Sequence, residues 1–165
     1  MNSLEDLALL HAHGIRPRWD QDQPTPDDDW VKVLATFPLF AGVSRRRLRR
    51  LVRGATLAEY APRETILYAG ERGDFLYVIL GGTAEARSKA AGRALRTGDY
   101  FGDIAMIDGG RRSATVVATT ELHAMRLPSR SVLELARQHA GIALTMLENR
   151  TTQLRRLETY LARAA

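Results

Sequence analysis

Between Ala55 and Leu127 the chain breaks into short β-type runs separated by glycine: TLAEY, ETILYAG, FLYVILGG, TAEARS, ALRTGDYFG, SATVVATT and ELHAMRL. No other feature limits the fold as strongly. Runs of this length, spaced by turn signals, close into a sandwich or barrel rather than an open parallel sheet. Glycines 70, 73, 81, 82, 92, 98 and 102 mark the corners, where a missing side chain permits a positive φ or a close backbone approach.

The flanks read as helix. SLEDLALLHAH (3–13) sets Leu4, Leu7 and Leu10 on one side behind Ser3, and a proline- and aspartate-rich connector follows. Residues 30–53 suggest two short helices broken at Phe37-Pro38 and Gly42. The second is capped by Ser44 and buries Leu48, Leu51 and Val52. Its arginines at 45, 46, 47, 49 and 50 are accounted for by a solvated face, without nucleic acid. After Pro128 come SRSVLELARQHA and a longer helix from Ile142 to about Arg163. On it Leu144, Leu147, Leu154 and Leu161 form a stripe, read first as the face that packs on the barrel, with a homodimer seam as the alternative.

Composition excludes several functions. The 165 residues contain no cysteine, so disulfides, thiolate metal sites and cysteine nucleophiles are ruled out. No run of eighteen apolar residues exists to cross a bilayer, and the first residues lack the basic start of a secretory signal, so a cytoplasmic setting is expected. Residues 1–32 hold seven acids against Arg16, Arg18 and Lys32, and the rest of the chain is strongly basic, which favours anionic ligands. His11 and His13 would diverge on a helix, and His123 and His139 show no acidic cluster beside them in sequence, so no metal is expected. No nucleophile–base arrangement or Walker-type loop is present, and no enzymatic role is expected.

The segment GDYFGDIAMIDGGRRSA (98–114) carries chemistry. DIAMI can form about one helical turn, whose unpaired N–H groups favour an anion. Arg112, nine residues after Asp103, can bind that anion through two charge-assisted hydrogen bonds, while Asp103 can accept from neutral hydroxyls. A phosphate attached to a sugar satisfies both demands. A glycine-rich hairpin with an Asp–Arg surface pair is the plainer alternative.

Residues 37–139 resemble a cyclic nucleotide-binding domain, the module of the bacterial catabolite activator protein, protein kinase A regulatory subunits and cyclic nucleotide-gated channels. The resemblance lies in FPLFAGVSRRRLRRLV, in GERGDFLYVILGGTAEA and in the cassette GDYFGDIAMIDGGRRSATVVA. It implies a mainly β fold, a jelly-roll or double-stranded β-helix barrel with helices at both ends. It also implies that Gly102, Ile104 and Ala105 give backbone contacts, that Asp103 holds the ribose 2′-hydroxyl, that Arg112 pairs with the cyclic phosphate and that Ser113 adds a hydroxyl. Arg111 would face solvent. Two positions depart from the family: Asp103 stands where glutamate is usual, a side chain shorter by about 1.5 Å, and Arg63 stands where a turn glycine is common.

Serine rather than threonine at 113 resembles the catabolite activator and points to cAMP over cGMP as ligand. In the family the C-terminal helix swings over the base, and Gln153, Arg156 and Leu157 are the candidates here. The expected organisation is a leading helix and linker (1–29), a binding barrel (30–141) and a signalling helix (142–165) in a stand-alone sensor. Its separate effector protein would be engaged through that helix or the N-terminal segment. A ligand-free dimerisation or adaptor module with a degenerate pocket is the rival reading.

Overall fold

Strand β3 (Phe75–Gly81) is apolar at nearly every position because both its faces are covered. Leu76, Val78 and Leu80 point into a core shared with the helices, whereas Tyr77 and Ile79 point into a second core between two sheets. Strand β8 (Leu122–Pro128) divides the same way, with Met125 and Leu127 toward the helices and Leu122 and Ala124 between the sheets. Such period-two alternation of two apolar sets turns an uninterrupted hydrophobic run into a central strand.

The computed structural model describes residues 27–89 and 92–164. The remaining strands are β1 (Thr56–Tyr60), β2 (Thr65–Leu67), β4 (Thr83–Arg87), β5 (Gly92–Arg96), β6 (Tyr100–Phe101) and β7 (Thr115–Ala118). They form two four-stranded sheets, ordered β1-β8-β3-β6 and β2-β7-β4-β5, in which each paired strand runs antiparallel to its neighbour. This is the expected mainly β roll with flanking helices. The run 94–102 gives two strands rather than one, because a turn at Thr97-Gly98 separates β5 from β6.

Helix α1 (Asp27–Thr36), a 3-10 turn (Pro38–Phe40) and α2 (Arg45–Arg53) precede the barrel. Ser44 stands at the start of α2 in extended conformation, but its hydroxyl makes no capping bond, contrary to expectation. Ser44, Arg45 and Arg46 are all exposed, so the first N–H groups are open to solvent. Arg45, Arg46, Arg47 and Arg50 are exposed, and Arg49 donates to the Asp28 carboxylate at 2.7 Å. The short helix α3 (Asp103–Asp108) interrupts the barrel, and α4 (Ser129–Gln138) and α5 (Ala140–Ala164) follow it. The helix expected at 3–13, with His11 and His13, lies outside the described residues.

Two other expectations are corrected. The stripe Leu144, Leu147, Leu154 and Leu161 does not pack on the barrel; these side chains are 56–62% exposed, and Ile142 and Met146 make the packed face of α5. The helix docks by a face turned away from its longest leucine repeat. His123 does have acids beside it: Glu59 is its cross-strand partner, and Glu121 reaches its Nε2 at 3.1 Å from two residues back on the same strand side. Strand register brings Glu59 to His123, which linear spacing does not reveal, whereas Glu121 shares its face through the two-residue period of a strand. No helix among the described residues is long and apolar enough to cross a membrane.

Arg63 is the one non-glycine residue among those described with a positive φ, 72°, so it does occupy a glycine-type turn. Gly82, at φ +85°, cannot be replaced so simply, since a Cβ there would lie 2.1 Å from the Glu121 carbonyl oxygen. At Gly98, φ +92°, nothing would meet a Cβ within 4 Å. Urea unfolding should therefore separate the two: Gly98→Ala costs about 1–2 kcal/mol of backbone strain, and Gly82→Ala costs clearly more. Equal midpoints would mean that the Gly82–Glu121 approach does not constrain the roll.

Candidate functional site

Arg112 is 5% exposed, and its surroundings are built to hold it. Its backbone N–H donates to the Glu71 carbonyl at 2.8 Å and its carbonyl accepts from the Gly70 N–H at 2.9 Å, so the GERG turn fixes where the side chain begins. The guanidinium then donates through Nη1 to the Gly102 carbonyl and through Nη2 to the Phe75 carbonyl, both at 2.8 Å. Its Cζ lies 5.9 Å from the Tyr77 ring centroid, and that ring stacks on Phe101 at 4.9 Å. A Cβ on Gly73 would sit 2.7 Å from Arg112 Cζ, and one on Gly102 would sit 2.5 Å from Nη1. Both glycines make room for the arginine.

Neutral carbonyls orient this cation without neutralising it. Arg112 Nε is buried with no hydrogen-bond partner among the described residues. Burial, ahead of any neighbouring charge, pulls the pKa of the group down, as it does for a cation taken out of water. Arg111, by contrast, is exposed and reaches the Gly70 carbonyl at 2.8 Å.

Helix α3 starts at Gly102, whose φ of +89° turns the chain out of β6 into the helix. Asp103 follows and is 1% exposed. Its carboxylate takes a fork from Arg150 of α5: Oδ2 accepts from Nε at 2.9 Å and Oδ1 accepts from Nη2. Arg150 Nη1 donates in turn to Gln153 Oε1 at 2.7 Å. Asn149 adds a bond from its Nδ2 to the Tyr100 hydroxyl at 2.9 Å. Helix α5 is thus fastened to the 100–103 corner through two consecutive residues.

One cavity of about 710 Å³ lies between the cassette, the β2-β7-β4-β5 sheet and α5. Gly102, Asp103, Ile104, Ala105, Arg112 and Ser113 all line it, as do Gln153, Arg156 and Leu157 from α5. The structure therefore gathers every cassette position singled out in the sequence around a single space. Sequence reasoning missed two arginines on the same wall, Arg150 and Arg93. Nothing local distinguishes Arg150 from the other arginines of α5. Arg93 did leave a signal: strand alternation puts it on the same face as the buried Leu95.

A family model described as the cyclic nucleotide-binding domain matches residues 57–139, half of the chain. The cAMP-dependent protein kinase regulatory subunit of Mycosarcoma maydis is 31% identical over 123 residues, covering 68% of this chain and 23% of that protein. The cGMP-dependent protein kinase of Eimeria tenella is 28% identical over 123 residues, covering 72% of this chain and 12% of that protein. The chain thus spans a quarter or less of the length of these relatives. A solved structure described as Sp-2Cl-cAMPS bound to PKAR CBD2 superposes with a TM-score of 0.67 at 22% identity, covering 81% of this chain and 95% of that one, a likeness of fold. With the matched segment running from β1 through the cassette to the end of α4, the chain belongs to the cyclic nucleotide-binding domain family.

Proposed function

We propose that this chain is a cytoplasmic regulatory protein that binds a 3′,5′-cyclic purine nucleotide in the 710 Å³ cavity and reports it through α5. The observation that carries this reading is the buried Arg112, a cation oriented by two neutral carbonyls and left with an orphaned Nε at the wall of a cavity. Holding such a charge out of water is costly unless an anion comes to it. A singly charged cyclic phosphate has the size and charge to do so, with Ser113 and the N–H groups of Ile104 and Ala105 as further donors.

Asp103 takes the ribose hydroxyl in this arrangement. Its carboxylate is already forked by Arg150, but two oxygens offer about four acceptor sites, so one hydroxyl can still be accommodated. Arg150 thereby sets the orientation of the shorter acid. The cavity supports binding rather than catalysis: its charged groups are arginines and one carboxylate already in an ion pair, which supply no free general base. Ser113 and the cAMP named for several relatives support cAMP as a ligand.

A ligand can shift a conformational equilibrium only by contacts that differ between the two states. Arg150, Gln153, Arg156 and Leu157 belong to the cavity wall and to α5 at once, so a bound nucleotide touches the moving element directly. The outer side of the same helix presents Leu147, Leu154 and Leu161 at seven-residue intervals to an effector protein or to a second copy of the chain.

Thermal unfolding with and without nucleotide tests the binding itself. At a hundredfold excess over Kd, a ligand of the folded state adds about 2.7 kcal/mol; no stabilisation by cAMP or cGMP would favour the rival ligand-free adaptor. Arg112→Ala should weaken nucleotide binding more than tenfold, because a charged hydrogen bond is worth about 1.5–3 kcal/mol. An unchanged titration curve would remove the phosphate role. Arg150→Ala leaves a carboxylate buried without its partner, and should lower stability by about 2 kcal/mol, reduced from the usual range because Arg150 is partly solvated. In a cycle with Asp103→Asn the two losses should be non-additive by about 1 kcal/mol. Simple additivity in urea unfolding would mean that the fork does not hold α5.

A further inference from the structure

On the helix-facing side of the β1–β8 pair, Leu57 lies opposite Met125 in the core, and the next pair along that side is Glu59 opposite His123. His123 is 2% exposed and sits on an inner strand, so packing fixes its imidazole in place. Glu121, two residues earlier on the same side, brings Oε1 to 3.1 Å from His123 Nε2. Both glutamates are exposed, and one ligand atom from each of the three residues lies within 4.8 Å of the other two. None of the three lines the nucleotide cavity, so the cluster is separate from the site already described.

A hydrogen bond accounts for Glu121 and His123 but leaves Glu59 unexplained. The Glu59 carboxylate has no hydrogen-bond or ion-pair partner among the described residues, and no described lysine or arginine pairs with Glu121. Two carboxylates converging within 4.8 Å repel each other, and a cation between them reverses the sign of that interaction. The donor set selects the cation. Calcium and magnesium take oxygen ligands, whereas an imidazole nitrogen beside carboxylates suits a transition ion such as zinc. Zinc holds such ligands at about 2.0–2.2 Å, which puts neighbouring ligands of a tetrahedron about 3.4 Å apart. His123 and Glu121 already stand near that spacing, and Glu59 reaches it by rotation of an exposed side chain.

We propose that Glu59, Glu121 and His123 form a binding site for a divalent transition-metal ion, with zinc the ion whose ligand preferences they meet. His123 Nε2 exchanges its contact with Glu121 for the metal and offers its lone pair, with the ring proton on Nδ1, while each glutamate supplies one oxygen. Because both glutamates face solvent, water takes the remaining position. Strand β1 is the edge of its sheet and β8 lies inside it, so an ion shared by Glu59 and His123 clips the edge strand to its neighbour. Linear spacing, on which the expectation of no metal rested, cannot show a ligand set assembled by register.

Calorimetric titration of the full chain with Zn²⁺, in a buffer free of chelators and phosphate, tests the site. The His11→Ala/His13→Ala double variant, which removes the other closely spaced histidines, should still take up one ion per chain. Glu59→Gln and Glu121→Gln, both at exposed positions, should each weaken that binding by at least about tenfold. Without zinc, their urea midpoints should stay near that of the wild type. Zn²⁺ should raise the melting temperature of the wild-type protein and of neither glutamate variant. His123→Gln should abolish binding wherever urea unfolding shows it to be folded, and the glutamate variants decide the matter if this core substitution does not fold. An excess of Mg²⁺ should fail to displace the ion, since the imidazole prefers zinc. The proposal is overturned by an absence of saturable binding, by unchanged binding in Glu59→Gln, by loss of the ion in the His11→Ala/His13→Ala variant, or by displacement with Mg²⁺.

Discussion

A guanidinium buried against neutral carbonyls is the constraint around which this roll is organised. Arg112 is reached from three directions: the 70–71 turn holds its backbone, the start of β3 offers the Phe75 carbonyl, and the β6–α3 corner offers the Gly102 carbonyl. Those segments come from both sheets and from the helix that interrupts them, so the cation also ties the cavity wall together. A charge can be oriented this way without being cancelled because a carbonyl contributes a dipole and not a counterion. The fold supplies position, and the carboxylates of Asp74, Asp103 and Glu71 offset only part of the cost of burying the charge.

The second organising contact is the Asp103–Arg150 fork. It joins the residue that opens α3 to the middle of α5, and it consumes hydrogen-bonding capacity on both sides of the cavity. Through it the polar character of the cavity wall is coupled to the docking of the helix. Shortening the acid from the family's usual glutamate is compatible with this, since it is the arginine that reaches across to the carboxylate.

Much of this was legible in the residues. The glycine-spaced runs predicted the strands, and residues 102–105 and 112–113, singled out through the resemblance, line one cavity. What stayed hidden depends on register and on tertiary docking. Glu59 meets His123 only because β1 and β8 pair as they do. The stripe of Leu144, Leu147, Leu154 and Leu161 looked like a packing face because a heptad-like interval is the strongest apolar signal in that helix, yet Ile142 and Met146 supply the contact and the leucines face outward. Arg93 was visible in principle as a charged residue at an inward strand position, whereas Arg150 was one of several arginines on a helix with no local mark to single it out.

Helix α5 runs unbroken for 25 residues, beginning just after His139, whose extended backbone separates it from α4. At 1.5 Å per residue it is a rod of about 37 Å. It is pinned near its root by Ile142 and Met146 and near its middle by Arg150, while its outer half carries only cavity-lining and exposed side chains. Such a rod works as a lever with a short inner arm: a tilt of about 10° at the root would carry the free end roughly 6 Å, given that length. Arg150 lies about 15 Å from the root, so a shift in how it sits on Asp103 would be magnified about 2.5-fold at the free end.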